Sequence, residues 1–322
     1  MSVSSLVLAP FSLLGVAAIA LTAALAMPLK PPQPLASIHA GAISIDPQGK
    51  PELSRFQARD GTWLAYRDYP APGGGDRLAI LAHGSSASSD EMNAVAKALA
   101  ASGVSAIAID ARGHGASGSR GDIGYVGQLD DDLADLVAEL RKSRPGAKLE
   151  LIGHSSGGGF VARIAGEPLG REFERFILLS PYLGYRAPTN RPNEGTGQWV
   201  SVDMPRIIAL LLLQKLGVDW GQELPAIAFA NLPQARMHVT PVYSFRLMQS
   251  YANAEDWQAG FRAAGGKIAV IAGEADELMN APAYAAAVEP FGASVQLLPD
   301  VDHMGIVYKP AALDAIVAAA KL

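Results

Sequence analysis

Short apolar runs recur along this chain and alternate with longer stretches whose apolar residues are spaced by three and four. The runs at 78–82, 106–110, 149–152, 176–179, 267–272 and 294–298 read as strands, the most continuous of them buried on both faces. Between them, 129–142 places Leu133, Leu136, Val137 and Leu140 on one helical face and is stopped by Pro145-Gly146. A helix is also expected from Ser89 or Asp90, either of which can cap it, to about residue 101. Others are expected over 156–165, 281–289 and 310–321. Residues 55–69 read as a hairpin that turns at Asp60-Gly61. This alternation predicts an α/β fold, with a mostly parallel sheet and helices on both faces. Ligands of such sheets bind at the carboxyl ends of the strands.

Two segments depart from the alternation. Residues 184–258 hold several prolines, the apolar stretch 207–213 and three of the four tryptophans, Trp199, Trp220 and Trp257. The segment is far longer than a usual connection and predicts an inserted helical cap within a domain spanning 55–322. Its apolar stretch is too short to span a membrane and reads as cap core, with an apolar lid as the alternative.

The other segment is at the N-terminus. Residues 6–29 carry no charge and are long enough to cross a bilayer, although they are rich in alanine. They predict membrane association through a single N-terminal span. Ala24-Leu25-Ala26 also resembles a signal cleavage site, and cleavage there would give a secreted or periplasmic protein. A buried helix is the third reading. Lys30 follows the run and nothing basic precedes it, which points the rest of the chain toward the cytoplasm. Pro28, Pro31, Pro32 and Pro34 make a stiff spacer, so residues 1–34 form the anchor or signal with its spacer. Residues up to Ser54 read as linker or edge structure.

Composition narrows the chemistry. Hydrophobic residues are 49% of the 322 and charged residues 18%, which is globular. A net charge of −5 without a basic block argues against nucleic acid as a partner. The absence of cysteine removes disulfides, thiolate catalysis and cysteine-based metal sites. No spacing of His, Asp and Glu resembles a closed metal site, and no cofactor is implied.

The stretch from Leu149 to Gly159 carries the chemistry. A buried strand runs into Gly153-His154-Ser155-Ser156-Gly157 and then a helix, the Gly-x-Ser-x-Gly arrangement of a nucleophile elbow. Alone this is a weak signal in a chain with 33 glycines. A serine hydroxyl needs an adjacent base, and the base an orienting acid, which in this architecture follow in the order Ser, acid, His. Gly273-Glu274-Ala275-Asp276 follows the 267–272 strand, and Asp300-Val301-Asp302-His303 follows the 294–298 strand. Asp276 is the expected acid, with Glu274 or Asp300 as alternatives. Asp302 adjoins His303 and reads as a turn former. His83, His114 and His154 read as structural hydrogen-bonders, and His39 and His238 have no assigned place.

His83-Gly84-Ser85, Asp110-Ala111-Arg112-Gly113-His114-Gly115-Ala116-Ser117, Gly153 to Gly158, Gly273 to Asp276 and Asp302-His303 together resemble the α/β-hydrolases. The resemblance is greatest to the monoacylglycerol lipase and lysophospholipase-type branch. It covers the chain from about Arg55 to the C-terminus, outside the cap. It implies the α/β-hydrolase fold and a serine hydrolase of carboxylic esters, with small or lipid-like substrates, that works through an acyl-enzyme. Ser155 would be the nucleophile, His303 the base and Asp276 the orienting acid, with the backbone N–H groups of Ser85 and Ser156 as the oxyanion hole. Relatives of this branch often carry methionine where this chain has Ser156, so the pocket-facing bulk differs. An amidase, peptidase or acyltransferase on the same residues, or a non-catalytic binding protein on this scaffold, are the other readings.

Overall fold

The computed structural model describes residues 15, 19–191, 199–232, 239–251 and 256–322. Eleven strands are named in chain order: β1 (Leu53–Gln57), β2 (Trp63–Tyr69), β3 (Arg77–Ala82), β4 (Ser105–Ile109), β5 (Lys148–His154), β6 (Phe173–Leu179), β7 (Val200–Val202), β8 (Pro225–Phe229), β9 (Val242–Ser244), β10 (Ile268–Gly273) and β11 (Ser294–Leu298). Eight of them form one sheet in the order β1-β2-β4-β3-β5-β6-β10-β11. The pairs β1–β2 and β2–β4 are antiparallel; every other pair is parallel.

The apolar runs form the central strands because both of their faces are covered. On β3, Leu78 and Ile80 join one core cluster and Ala79 and Leu81 the other. The first cluster packs under α3 (Gln128–Ser143) and α4 (Ser156–Ile164) through Leu133, Leu136, Phe160 and Val161. The second packs under α2 (Asn93–Ala101) and α8 (Pro310–Lys321) through Val95, Leu99 and Ile316. The sheet is therefore a middle layer, and the carboxyl ends of β3, β5, β10 and β11 open on one edge.

The residues between β6 and β10 add α5 (Met204–Lys215), α6 (Phe245–Tyr251) and α7 (Ala259–Ala264). They also hold an antiparallel sheet, β7-β8-β9, which the periodicity did not anticipate. Its strands are only three to five residues long, too short to display alternation. Residues 192–198, 233–238 (with His238) and 252–255 lie outside the described residues.

The N-terminal expectation is corrected. Among the described residues no helix is long and apolar enough to cross a membrane, so neither the single span nor the location built on it stands. Residues 6–14 and 16–18 of the run lie outside the described residues. The described part folds back on the protein: Leu25 packs against Ile207, Leu210 and Phe245, and the Met27 carbonyl accepts from Arg206 Nη2. The stretch expected as linker contains α1 (Ala36–Ser44). Gly41 lies so close to the chain at Met304 that a Cβ would sit 2.3 Å from Met304 Cβ. Mixed Ala, Gly and Ser with no apolar stripe left this helix without a periodic signal.

Candidate active site

Ser155 stands at the junction of β5 and α4 with φ 51° and ψ −117°, a positive φ for a residue with a side chain. Strain of this kind costs on the order of 1–3 kcal/mol and persists only where neighbours enforce it. Here the Ser155 N–H donates to the Leu179 carbonyl at 2.9 Å, and the Ser155 carbonyl accepts from Tyr182 N–H at 2.9 Å. The flanking glycines have no room for side chains. A Cβ on Gly153 would lie 2.3 Å from the Gly157 carbonyl oxygen, and one on Gly157 would lie 2.4 Å from that of His83.

His303 follows β11 and Asp276 follows β10. Asp276 is fully buried, and its Oδ2 and Oδ1 lie 2.9 and 3.1 Å from His303 Nδ1. Its Oδ1 also accepts from the N–H groups of Leu278 and Met279, at 2.9 and 2.8 Å. Burial opposes the Asp276 charge, but the imidazole, with the Met279 N–H, outweighs it and holds the carboxyl below its ordinary range. Burial likewise opposes a charge on His303, and the Asp276 carboxylate outweighs it, raising the imidazole. A carboxylate only accepts, so Nδ1 carries the proton and the neutral ring keeps a free lone pair on Nε2.

Neither alternative acid reaches the imidazole. Glu274 and Asp300 are exposed and, among the described residues, neither bonds to His303. Asp302 Oδ1 accepts from the Gly305 N–H at 2.6 Å within its own turn.

Ser155 and His303 line one pocket of ≈ 100 Å³. Its walls include Ser85 from the loop after β3, Trp199 and Leu232 from between β6 and β10, and Ile38 and His39 from α1. Met304, Leu278 and Val239 add to the apolar lining. Ser156 opens α4, whose first-turn N–H groups have no partner inside the helix. In the other loop, the Gly84 carbonyl accepts from His83 Nδ1–H at 2.7 Å and from Ala87 N–H at 3.3 Å. A planar trans peptide points the Ser85 N–H the opposite way. The neighbouring amides are committed elsewhere: Gly84 N–H to Glu91 Oε2 at 2.5 Å, and Ser86 N–H to the Tyr243 hydroxyl at 2.7 Å.

Sequence reasoning missed part of this surround. Glu91 is buried, and its Oε2 lies 3.2 Å from His154 Nδ1, although without hydrogen-bond geometry. His154 Nε2 donates to the His303 carbonyl at 3.2 Å, which ties Glu91 to the backbone of the proposed base. Burial opposes the Glu91 charge, but His154 and the Gly84 N–H outweigh it and lower its carboxyl. Nothing in the spacing of Glu91, His154 and His303 signals this contact. His83 and His114 are both pushed down by burial. Among the described residues no group of three or more His, Asp or Glu is arranged to hold a metal ion.

Comparison with known proteins agrees with this architecture. A soluble variant of monoglyceride lipase from Saccharomyces cerevisiae, solved with a substrate analogue, superposes with a TM-score of 0.63 at 17% identity, covering 85% of this chain and 95% of that one. Est1E from Butyrivibrio proteoclasticus, solved with ferulic acid, superposes at 0.56 with 18% identity, covering 83% and 96%. Both likenesses are of fold. In sequence, non-heme chloroperoxidase CPO-A1 of Kitasatospora aureofaciens is 33% identical over 122 residues, 38% of this chain and 42% of that protein. The chain thus spans less than half the length of that relative. The model of the family described as serine aminopeptidase, S33 matches residues 75–304, most of the chain and every residue of the pocket discussed above except those of α1. A match of that extent, on a sheet of this order, makes the chain a member of the serine aminopeptidase S33 family of α/β-hydrolases.

Proposed function

We propose that the protein is a serine hydrolase that cleaves carboxylic esters, with lipid-like substrates of the monoacylglycerol or lysophospholipid kind, through an acyl-enzyme on Ser155. The observation that carries this reading is His303, held by Asp276 with Nε2 left unprotonated, on the wall of the pocket that Ser155 enters. Ser155 Oγ attacks the carbonyl carbon and its proton passes to His303 Nε2. The oxyanion receives the N–H groups of Ser85 and Ser156, each worth about 3–4 kcal/mol to the transition state. Collapse breaks the ester C–O bond, and the His303 proton leaves with the alcohol. Water repeats the sequence in reverse and releases the acid. No cofactor enters.

The apolar lining from Ile38, Trp199, Leu232, Leu278 and Met304 supports an acyl chain as the group that fills the pocket. Residues 184–258 act in this reading as a cap over it. The description of the family model favours an amide as the second reading. A panel of p-nitrophenyl esters of rising chain length, set beside a monoacylglycerol and a peptide amide, tests the choice. Higher kcat/KM on medium or long acyl esters than on the amide is expected, and the reverse order would replace esterase by peptidase.

A further inference from the structure

The loop that carries Ser85 is gripped from outside the main sheet. Ser86 has a positive φ of 68°, although it has a side chain, and such a conformation lasts only where its surroundings over-determine it. All three of its polar groups are held by residues from between β6 and β10. Its N–H donates to the Tyr243 hydroxyl at 2.7 Å, its carbonyl accepts from Thr240 N–H at 2.8 Å, and its hydroxyl accepts from Asn231 Nδ2 at 2.7 Å. One residue earlier, the Ser85 hydroxyl accepts from Trp199 Nε1 at 2.9 Å. The Tyr251 hydroxyl donates to the His83 carbonyl.

Tyr243 is the pivot of this grip. It is buried and is not among the residues that line the pocket, so its effect there runs through the loop it holds. Its hydroxyl has one proton, which it donates to His114 Nε2 at 2.6 Å, leaving a lone pair for the Ser86 N–H. Burial raises the phenol and lowers the His114 imidazole, so the pair stays neutral and the direction of both bonds is set. His114 Nδ1 donates in turn to the Arg112 carbonyl at 3.3 Å. The path runs from β9 through the phenol to the amide that follows Ser85.

We infer that Tyr243 is a positioning residue for the oxyanion hole: carried by the inserted segment, it fixes the Ser86 amide and with it the aim of the Ser85 N–H at the substrate carbonyl oxygen. This rests on the ester hydrolase reading above. The segment between β6 and β10 is then a working part of the catalytic apparatus as well as a cover for it. An oxyanion hole acts on charge that develops in the transition state, so loosening it lowers kcat and leaves ground-state binding in place.

The test compares full-length wild type, Tyr243→Phe and Trp199→Phe on a p-nitrophenyl ester, with a trifluoromethyl ketone as transition-state mimic. Trp199→Phe keeps an aromatic ring against Phe229 and removes the donor to Ser85, and because Trp199 also lines the pocket the ester is the short-chain acetate, whose acyl group leaves most of that lining untouched. The inference expects Tyr243→Phe to lower kcat about tenfold or more, to weaken the ketone by a similar factor and to leave KM within about twofold. Unchanged kcat in folded Tyr243→Phe, or a raised KM with kcat intact, would overturn it and leave the hydrolase reading standing. If Tyr243→Phe does not fold, kcat and ketone affinity of Trp199→Phe on the acetate decide, its KM being left out because Trp199 lines the pocket: a loss in both supports the inference that the inserted segment aims the loop, and unchanged values overturn it. An inert wild type would overturn the hydrolase reading and this inference together.

Discussion

His303 holds its proton on Nδ1 because Asp276 can only accept, and that single fact arranges the rest of the proposed chemistry. The imidazole must be neutral to act as a base. The Asp276 carboxylate raises it above the ordinary histidine value of 6.5 against the opposing effect of burial. The acid limb of a kcat/KM profile is therefore expected above pH 6.5, with activity rising as His303 loses its proton. Asp276→Asn removes both the charge and the orientation. It should lower kcat by several orders of magnitude with a small change in KM, and it should move the residual acid limb to lower pH. Rate profiles from about pH 5 to 9 check both parts. A limb that stays in place would mean that the Asp276 charge does not act on the titrating group. At this scale Ser155, Asp276 and His303 were readable from motif and order. Glu91, Tyr243 and His39 were not, because each meets the pocket or its loop through tertiary placement that no local pattern records.

The elements around the nucleophile meet backbone to backbone. β5 turns through Ser155 into α4, and Gly157 brings that helix against the end of β3, where a Cβ would lie 2.4 and 2.7 Å from the carbonyl oxygens of His83 and Ala82. Those atoms belong to main chain and cannot rotate aside. Gly157→Ala must therefore push α4 away from β3, separating the N–H groups of Ser156 and Ser85 that the proposed mechanism brings to one oxygen. A loss of about 1–3 kcal/mol in stability is expected from the overpacking. The fall in kcat should be larger than the shift in melting temperature accounts for. Thermal unfolding and steady-state kinetics on the same preparation check this; an unchanged melting temperature and kcat would mean that the turn accepts the methyl group. The strands of the main sheet were legible because burial on both faces demands continuous apolar runs. The strands β7, β8 and β9 were not, since they are short and take their place from one another and from the loop they hold.

For the molecule as a whole, the sheet delivers Ser155, His303 and Asp276 to one edge, and Trp199, Asn231, Leu232 and Val239 from between β6 and β10 line the pocket there. The chain ahead of β1 contributes as well. α1 lays Ile38 and His39 along the pocket, and the residues before it lean on α5, so the segment expected to hold a bilayer instead lies against the protein where it is described. Hydropathy alone could not separate these outcomes, because an uncharged alanine-rich run suits a packed helix as well as a lipid-facing one. The proposed chemistry turns on covalent acylation of Ser155. The most direct measurement is treatment of the full-length protein with a fluorophosphonate, followed by mass mapping of the adduct. One phosphonyl group on Ser155, absent from folded Ser155→Ala, is the predicted result; no adduct, or an adduct on another serine, would contradict it.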